Sequence, residues 1–215
     1  STPVISDFSF DEGPHSTGTV TVSITVSDND GIHSSYSDTE STTSDGISVL
    51  FNDESMVMEE ETLTISDIDD IGFSKTTIER LYSITISDDT TQGTADIVVT
   101  VTDKTGNESV SSNTSMLIDT IEPRAPGLEE IPYIIGRIEQ TFLVDAEQGS
   151  LLSLFANDSL VSDTLVSENP HYLSLDLDED IYSLKAFSTD MADNVSPTST
   201  HSLVVDLTDP LLTSL

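Results

Sequence analysis

The stretch Asp103-Lys104-Thr105-Gly106-Asn107-Glu108-Ser109 separates two strand-like runs, and a similar stretch, Asp190-Met191-Ala192-Asp193-Asn194-Val195-Ser196, occurs later in the chain. Each copy is followed by a short strand-like run and then by an acidic segment that ends in proline, at Pro123 and Pro210. Anchors of the second copy lie 87 residues after their counterparts, as Asp190 follows Asp103 and Asn194 follows Asn107. Several anchors at one offset indicate an internal repeat. Each copy therefore predicts the last hairpin of a β domain and the junction that follows it.

The rest of the chain shows the period of two that is typical of half-buried strands. From Val20 to Val26 every second residue is valine or isoleucine, and the residues between them are Thr or Ser. The run from Ala95 to Thr102 repeats this pattern. One exception is residues 71–80, where a helical turn is predicted because 76–81 is the one stretch with any helix character. About seven short strands per half, separated by polar turns, predict antiparallel β-sandwiches.

A chain of 215 residues fits two domains of ordinary size. We predict a first sandwich with an enlarged middle region at residues 1–121 and a second sandwich at 122–208. Residues 209–215 resemble the start of a following domain or a tail, so we expect the sequence to be part of a longer chain. The acidic run Glu59-Glu60-Glu61 predicts an open sheet edge that charge protects from pairing.

The formal net charge is −34, because 40 acidic residues face only six cationic ones. Such a surface excludes a nucleic-acid groove and argues against docking on anionic lipid. The chain has no cysteine, so it forms neither a disulfide nor a thiolate metal site. No apolar run is long enough to cross a membrane as a helix. This composition fits an extracellular or cell-surface protein.

A family resemblance rests on the repeated hairpin and junction. The run from Gln92 through Asn107 is similar to the last hairpin of bacterial Ig-like domains, and 118–126 resembles the junction between tandem copies. The resemblance covers about a third of the chain, and it departs from the family pattern at Asp193, where the family has glycine. It implies tandem immunoglobulin-like sandwiches in long secreted or surface-attached proteins, often rigidified by calcium. The neighbouring Ig-like domains of the same chain would then be its partners.

In an Ig-like sandwich the loop after the second strand and the last hairpin loop lie at the end where the domain begins. Acids in these loops would therefore gather there, and Ca²⁺ takes six to eight oxygen ligands of this kind. The candidate ligands at the junction of the two domains are Asp119, Glu122, Asp145, Glu147, Asp190, Asp193 and Asn194. Those at the free end of the first domain are Asp28, Asp30, Asp103 and Asn107. The alternative interpretation is that these Asp and Asn residues form turns and stay solvated.

Clustered acids repel one another over about 8–10 Å unless a cation lies between them. We therefore expect the two domains to form a rod in calcium and a hinged pair without it. Asn113 and Asn157 are the better candidates among four Asn-x-Ser sequons for glycosylation. Tyr182 follows an acidic turn, which predicts a tyrosine corner. The common nucleophile, zincin and nucleotide-binding motifs are absent from the sequence.

These observations predict a non-catalytic, all-β pair of Ig-like sandwiches that serves as a calcium-rigidified spacer or stalk of a secreted or surface protein. One alternative is a subunit of a surface layer or extracellular filament, in which the same domains assemble with one another. A second alternative is an accessory module of a secreted hydrolase.

Overall fold

The structure is a computed structural model, and it describes residues 2–28, 46–68, 74–103, 105–136 and 139–208. It divides into two compact units, Ser1–Thr120 and Ile121–Leu215. The candidate ligand Asp30 lies outside the described residues, as do the rest of 29–45 in the enlarged middle region and the tail at 209–215.

The described residues of the first unit form ten strands. They are β1 (Val4–Phe10), β2 (Gly18–Asp28), β3 (Ile47–Phe51), β4 (Glu54–Ser55), β5 (Val57–Ile68), β6 (Ser74–Ile86), β7 (Gly93–Thr94), β8 (Ile97–Thr102), β9 (Glu108–Asn113) and β10 (Leu117–Ile118).

These strands form two main sheets with the orders β1-β2-β6-β5 and β4-β3-β8-β9, together with a small β7/β10 pair. All of the pairings are antiparallel. With β1, β2, β3, β5, β6, β8 and β9 taken as A to G, one sheet reads A-B-E-D and the other contains C-F-G. This is the strand order of a constant-type immunoglobulin sandwich.

The core of the first unit lies between the inner faces of its two sheets. The alternating residues from Val20 to Val26 are at most 5% exposed, and those from Ala95 to Val101 are 0% exposed. Both stretches therefore have the buried face that their period of two predicts. Removing such surface from water is worth about 25 cal/mol per Å², so this alternation is the main source of stability.

Seven strands lie in the part of the second unit that the structure describes. They are β11 (Ile134–Ile135), β12 (Glu139–Val144), β13 (Leu151–Ala156), β14 (Ser159–Leu165), β15 (His171–Asp176), β16 (Asp180–Thr189) and β17 (Ser199–Val205).

Five of these strands form a sheet with the order β11-β17-β16-β13-β14, and β12 pairs with β15 in the other sheet. The short strand β11 runs parallel to β17, and the other pairings are antiparallel. A separate core of Leu, Ile, Val, Ala and Phe side chains fills this sandwich. The prediction of all-β, Ig-like architecture is therefore confirmed in both units.

The predicted helical turn is wrong. Residues 76–81 belong to β6, which pairs with β2 on one side and with β5 on the other. One face of β6 is buried, and it includes every second residue from Ile78 through Arg80 to Tyr82. Pairing on both sides fixes an extended backbone, so tertiary contacts override the weak local propensity. No helix in the described part of the chain is long and apolar enough to cross a membrane.

Two local predictions agree with the structure. The three consecutive glutamates lie on β5, an edge strand of its sheet, where charge discourages pairing with another chain. The Tyr182 hydroxyl donates to the carbonyl of Asp178 at 3.1 Å, which is the bond that defines a tyrosine corner. Burial, reinforced by the nearby Asp180 and Asp178 carboxylates, raises the pKa of Tyr182 above 10.0.

Candidate functional site

The repeated loop of the first unit connects β8 to β9, and Asp103 holds it closed. The Asp103 Oδ1 atom accepts from the backbone N–H groups of Thr105 and Asn107, both at 2.8 Å, and from the Thr105 hydroxyl at 2.8 Å. Its Oδ2 atom accepts from the Asn107 side-chain amide at 2.6 Å. The residue is 1% exposed. A buried carboxylate is tolerated here because four donors surround it.

The repeated loop of the second unit connects β16 to β17 and has three of these four hydrogen bonds to its aspartate. The Asp190 Oδ1 atom accepts from the N–H groups of Ala192 at 2.8 Å and Asn194 at 2.9 Å. Its Oδ2 atom accepts from the Asn194 side-chain amide at 2.9 Å. In both loops the first residue also donates its N–H to the carbonyl of the fifth, at 2.9 Å from Asp103 and 3.1 Å from Asp190. We call this arrangement the Asp–Asn clamp.

The fourth position of each clamp has a left-handed backbone. Gly106 has φ of +87° and Asp193 has φ of +64°. Glycine adopts this region without strain, whereas other residues pay a cost that is smallest for Asn and Asp. The departure from the family pattern at Asp193 therefore changes the residue but not the backbone conformation of the loop.

Hydrogen bonding dominates the ionisation of the Asp103 carboxyl. Burial favours the neutral acid, but the hydrogen bonds from Asn107 and Thr105 outweigh burial and lower its pKa from 3.8 to about 2. The carboxylate is thus charged at every pH near neutrality. Its charge is stabilised by donors within the loop itself.

These contacts decide how the clamp aspartates fit a metal ion. A carboxylate has about four lone-pair sites, and the donors of the loop occupy most of them in Asp103 and Asp190. A Ca²⁺ ion at either carboxylate would have to displace the N–H donors that hold the loop closed. The clamp aspartates therefore do not fit calcium in this arrangement, and turn stabilisation accounts for their positions.

Asp145, another predicted ligand, pairs with a cation of the protein itself. The Arg124 guanidinium lies 2.6 Å from its Oδ1 atom, and both side chains are largely exposed. The backbone of Asp145 also forms a two-way bridge with Gly127, at 2.7 and 3.2 Å. A Cβ on Gly127 would lie 3.1 Å from the Asp145 Cβ, so glycine permits this close approach. The sequence contained Arg124 and Gly127 but gave no sign of this pairing.

The remaining candidate ligands are dispersed. Asp28 is buried at the end of β2, and Asp119 is half-buried and donates its N–H to the carbonyl of His15 at 2.9 Å. Glu122, Glu147 and Asp193 are exposed. Over the described ranges, no three His, Asp or Glu side chains lie close enough together to hold a metal ion. Calcium binding by these residues stays a prediction.

The two glycosylation candidates lie at strand ends and form local hydrogen bonds. Asn113 is half-buried at the end of β9, and its Oδ1 atom accepts from the N–H of Ser115 at 2.7 Å. Asn157 is exposed in the β13–β14 turn, but its amide donates to the carbonyl of Ile181 at 3.2 Å. Glycosylation at either residue also stays a prediction.

No protein-family model and no curated protein matches the chain. Solved structures align with it at low identity. The fibronectin(III)-like modules of Clostridium thermocellum CbhA match with a TM-score of 0.46 and 14% identity, over 95% of this chain and 94% of theirs. An I-band fragment of titin matches with a TM-score of 0.43 and 11% identity, over 95% of this chain and 66% of its own.

A third solved structure is a Ca²⁺-stabilised adhesin with which an Antarctic bacterium binds ice. It matches with a TM-score of 0.44 and 19% identity, over 96% of this chain and 49% of its own length. The chain thus spans about half the length of that adhesin structure.

Proposed function

We propose that this chain is a non-catalytic spacer segment of a secreted or cell-surface protein. Its main support is the repetition of one construction in both units. Two sandwiches, built from different sequences, end in hairpins held by the same Asp–Asn clamp. What the chain repeats is a rigid loop and a junction, which suits a modular strut.

The acidity of the surface supports an extracellular setting. A net charge of −34 on 215 residues keeps copies of the chain apart and in solution. Most acids lie in turns and on exposed strand positions, and the described ion pairs involve only Arg80, Arg124 and Lys185. The charge is therefore mostly uncompensated by the protein, and cations of the medium balance it.

The spacer proposal is tested by small-angle X-ray scattering on the whole chain. A compact globule of 215 residues has a radius of gyration of about 17 Å. A segment that separates its two ends is expected to give a clearly larger value. A radius near 17 Å would contradict the spacer proposal.

Calcium binding is the second, separable part of the proposal. Three predicted ligands, Glu122, Glu147 and Asp193, are exposed, and their carboxylates contact no other described residue through a hydrogen bond or ion pair. We propose that calcium acts on these acids, while the clamp aspartates stay bound to their loops. An ion present at about 100 times its dissociation constant would add about 2.7 kcal/mol of stability.

Thermal unfolding in calcium and in chelator tests this second part. Calcium is expected to raise the melting temperature of the wild type and to leave the triple variant Glu122→Gln, Glu147→Gln, Asp193→Asn nearly unchanged. Magnesium at the same ionic strength is the control for charge screening. If calcium and magnesium shift the melting temperatures of both proteins equally, the proposal of a specific calcium site is wrong. The spacer proposal does not depend on that result.

Assembly into a surface layer or filament is a second candidate function. It needs a surface on which a strongly acidic chain can contact another copy of itself. Among the residues whose side chains the structure describes, exposed large apolar ones are more numerous in the second unit than in the first. This observation favours the second unit as the place of such a contact.

A further inference from the structure

The hairpin of β13 and β14 forms one border of the five-stranded sheet in the second unit. The order β11-β17-β16-β13-β14 leaves β14 at the edge. On its inner side β14 pairs with β13 from Leu165 to Ser159. Over the described ranges, no strand pairs with its outer side. An edge strand of seven residues presents unpaired N–H and C=O groups that can bind another strand.

Three of the seven residues of β14 are apolar and exposed. Leu160, Val161 and Leu165 on β14 are 55%, 37% and 62% exposed. On the outer face of the sheet, the cross-strand pairs Leu151/Leu165 and Phe155/Leu160 lie on either side of the polar pair Ser153/Asp163.

Phe155 extends this apolar surface toward the middle of the sheet. It stacks on Phe187 of β16 with ring centroids 5.9 Å apart. Exposed leucine and valine side chains on an unpaired edge strand favour this border of the sheet as an interaction surface.

The charges of this hairpin are balanced locally, in contrast with the rest of the chain. Residues 151–165 contain two acids, Asp158 and Asp163. Lys185 lies 2.5 Å from the Asp158 carboxylate. Asp163 accepts a hydrogen bond from the Ser153 hydroxyl at 2.8 Å. With Lys185 included, the hairpin has a net charge of −1 on a chain that has −34.

The edge strand β5 of the first unit, in contrast, is strongly acidic. It has three consecutive glutamates, and two of them bond inward, Glu59 to the Ser83 hydroxyl and Glu61 to the buried Arg80. A second chain pairing with β5 would have to desolvate these acids. The strand β14 contains one acid, Asp163, and its pairing with β13 shifts register at Val161.

We propose that β14 pairs with β14 of a second copy of this chain, antiparallel across a two-fold axis at Ser162. Charge selects the occupant, because acidic surfaces of two copies repel and only a locally balanced edge lets them approach. A two-fold axis at Ser162 places Asp163 of each copy opposite Val161 of the other. An axis one residue further along would oppose the two Asp163 carboxylates, and like charges directly opposite destabilise a strand pair.

This pairing joins two five-stranded sheets into one and buries the exposed leucines at their border. Seven residues a side make a contact below the usual size of a stable dimer, so the association is weak in an isolated segment. Linked copies in a longer assembly would bind by avidity. The inference deepens the assembly candidate, and the spacer proposal does not depend on it.

Sedimentation velocity over a concentration series, at low and at high salt, tests the pairing on the whole chain. Dimer formation is expected to increase with salt, because salt screens the repulsion between copies but not strand pairing. The variant Val161→Glu opposes an acid to Asp163 at two symmetric positions and is expected to weaken association roughly tenfold, or about 1.4 kcal/mol. Val161→Lys faces the same Asp163 with the opposite charge and is expected to retain or strengthen the dimer.

A matched control is Val110→Glu, which adds the same charge at an exposed valine of the edge strand β9 in the first unit. It is expected to leave association unchanged. Melting temperatures of all variants establish that they fold. The proposal would be overturned by a chain that stays monomeric in high salt. It would also be overturned if Val161→Glu weakened dimer formation no more than Val110→Glu, or no more than Val161→Lys. A monomer with a large radius of gyration would leave the spacer proposal intact.

Discussion

The two clamped loops, 103–107 and 190–194, share their first and last residues and almost nothing between them. Three hydrogen bonds to the aspartate carboxylate recur in both, although one loop has Lys-Thr-Gly and the other has Met-Ala-Asp in the middle. They differ in burial, in an additional bond from the Thr105 hydroxyl, and in the residue at the left-handed position. The Asp and Asn pair therefore determines the loop conformation, and the middle residues adjust its stability.

Removing the clamp aspartates is expected to have the largest effect. Asp190→Ala leaves the N–H groups of Ala192 and Asn194 without their acceptor, which costs about 1–3 kcal/mol. Asp103→Ala is expected to cost more, because Asp103 is more deeply buried and accepts one bond more. Calorimetric melting of the two variants in the whole chain measures both losses.

Asp96→Ala is the control for these two substitutions, since Asp96 is an exposed aspartate of the first unit. It is expected to leave the melting profile nearly unchanged. Equal melting of wild type, Asp103→Ala and Asp190→Ala would show that the clamp does not support the fold. Equal losses in the two clamp variants would remove the difference that we assign to burial and to Thr105.

Acid should weaken the clamp of the first unit. Because the pKa of Asp103 is lowered to about 2 when folded, against an ordinary 3.8, its ionised form stabilises the fold fully above about pH 4. That contribution is lost as the pH falls from about 4 toward 2. The free energy of unfolding of the wild type minus that of Asp103→Asn should therefore decrease over this range.

The difference between the two proteins is the appropriate measure, because protonating many other acids also relieves the repulsion of a −34 chain. Urea titrations at several pH values between 5 and 2 provide it. A difference that stays constant with pH would contradict the role assigned to the Asp103 charge.

Removing the amide partner should have a smaller effect. Asn107→Ala deletes the donor 2.6 Å from the Asp103 Oδ2 atom, and Asn194→Ala deletes the donor 2.9 Å from the Asp190 Oδ2 atom. Each loss is expected to cost about 0.5–1.5 kcal/mol. In Asn107→Ala the pKa of Asp103 should also rise toward its ordinary value, because the side chain of Asn107 is the main group that lowers it.

Carboxyl chemical shifts across an NMR titration report that pKa directly. Thr105→Val, which removes only the hydroxyl donor to Asp103, is the comparison within the same loop. A pKa that is unchanged in Asn107→Ala would show that the backbone N–H groups and the Thr105 hydroxyl are responsible for the shift.

Most of the fold follows from patterns that are local in sequence. Alternation fixed the buried faces of β2 and β8, and the repeat identified the last hairpin of each unit. The strand character of 76–81 was missed, because pairing with β2 and β5 on both sides determines it and no local pattern reports such pairing. Arg80, buried in that strand against Glu61 and Tyr82, was equally invisible.

The candidate site was harder to predict because aspartate has two roles with one signature. Asp and Asn at turn positions predict a calcium ligand and a hydrogen-bond acceptor equally well. Which role applies depends on where the carboxylate points. Asp103 and Asp190 point into their own loops, where backbone N–H groups already occupy their oxygens. The sequence spacing of Asp and Asn four residues apart was the one signal of this bond pattern, and it is informative only once the loop is known.

The smallest expected effect comes from exchanging the residues at the left-handed position. Asp193→Gly removes the backbone strain at φ +64°. It is therefore expected to stabilise the second unit by less than about 1 kcal/mol. Gly106→Asp introduces that strain into the first unit, where a Cβ would meet no atom within 4 Å, so it should cost about 1 kcal/mol without a clash. Opposite shifts in the two calorimetric transitions would show that the loops differ at this position only in backbone strain. A loss in Asp193→Gly would instead indicate that the Asp193 carboxylate is itself stabilising, and repeating the measurement with calcium and with chelator would show whether an ion is the reason.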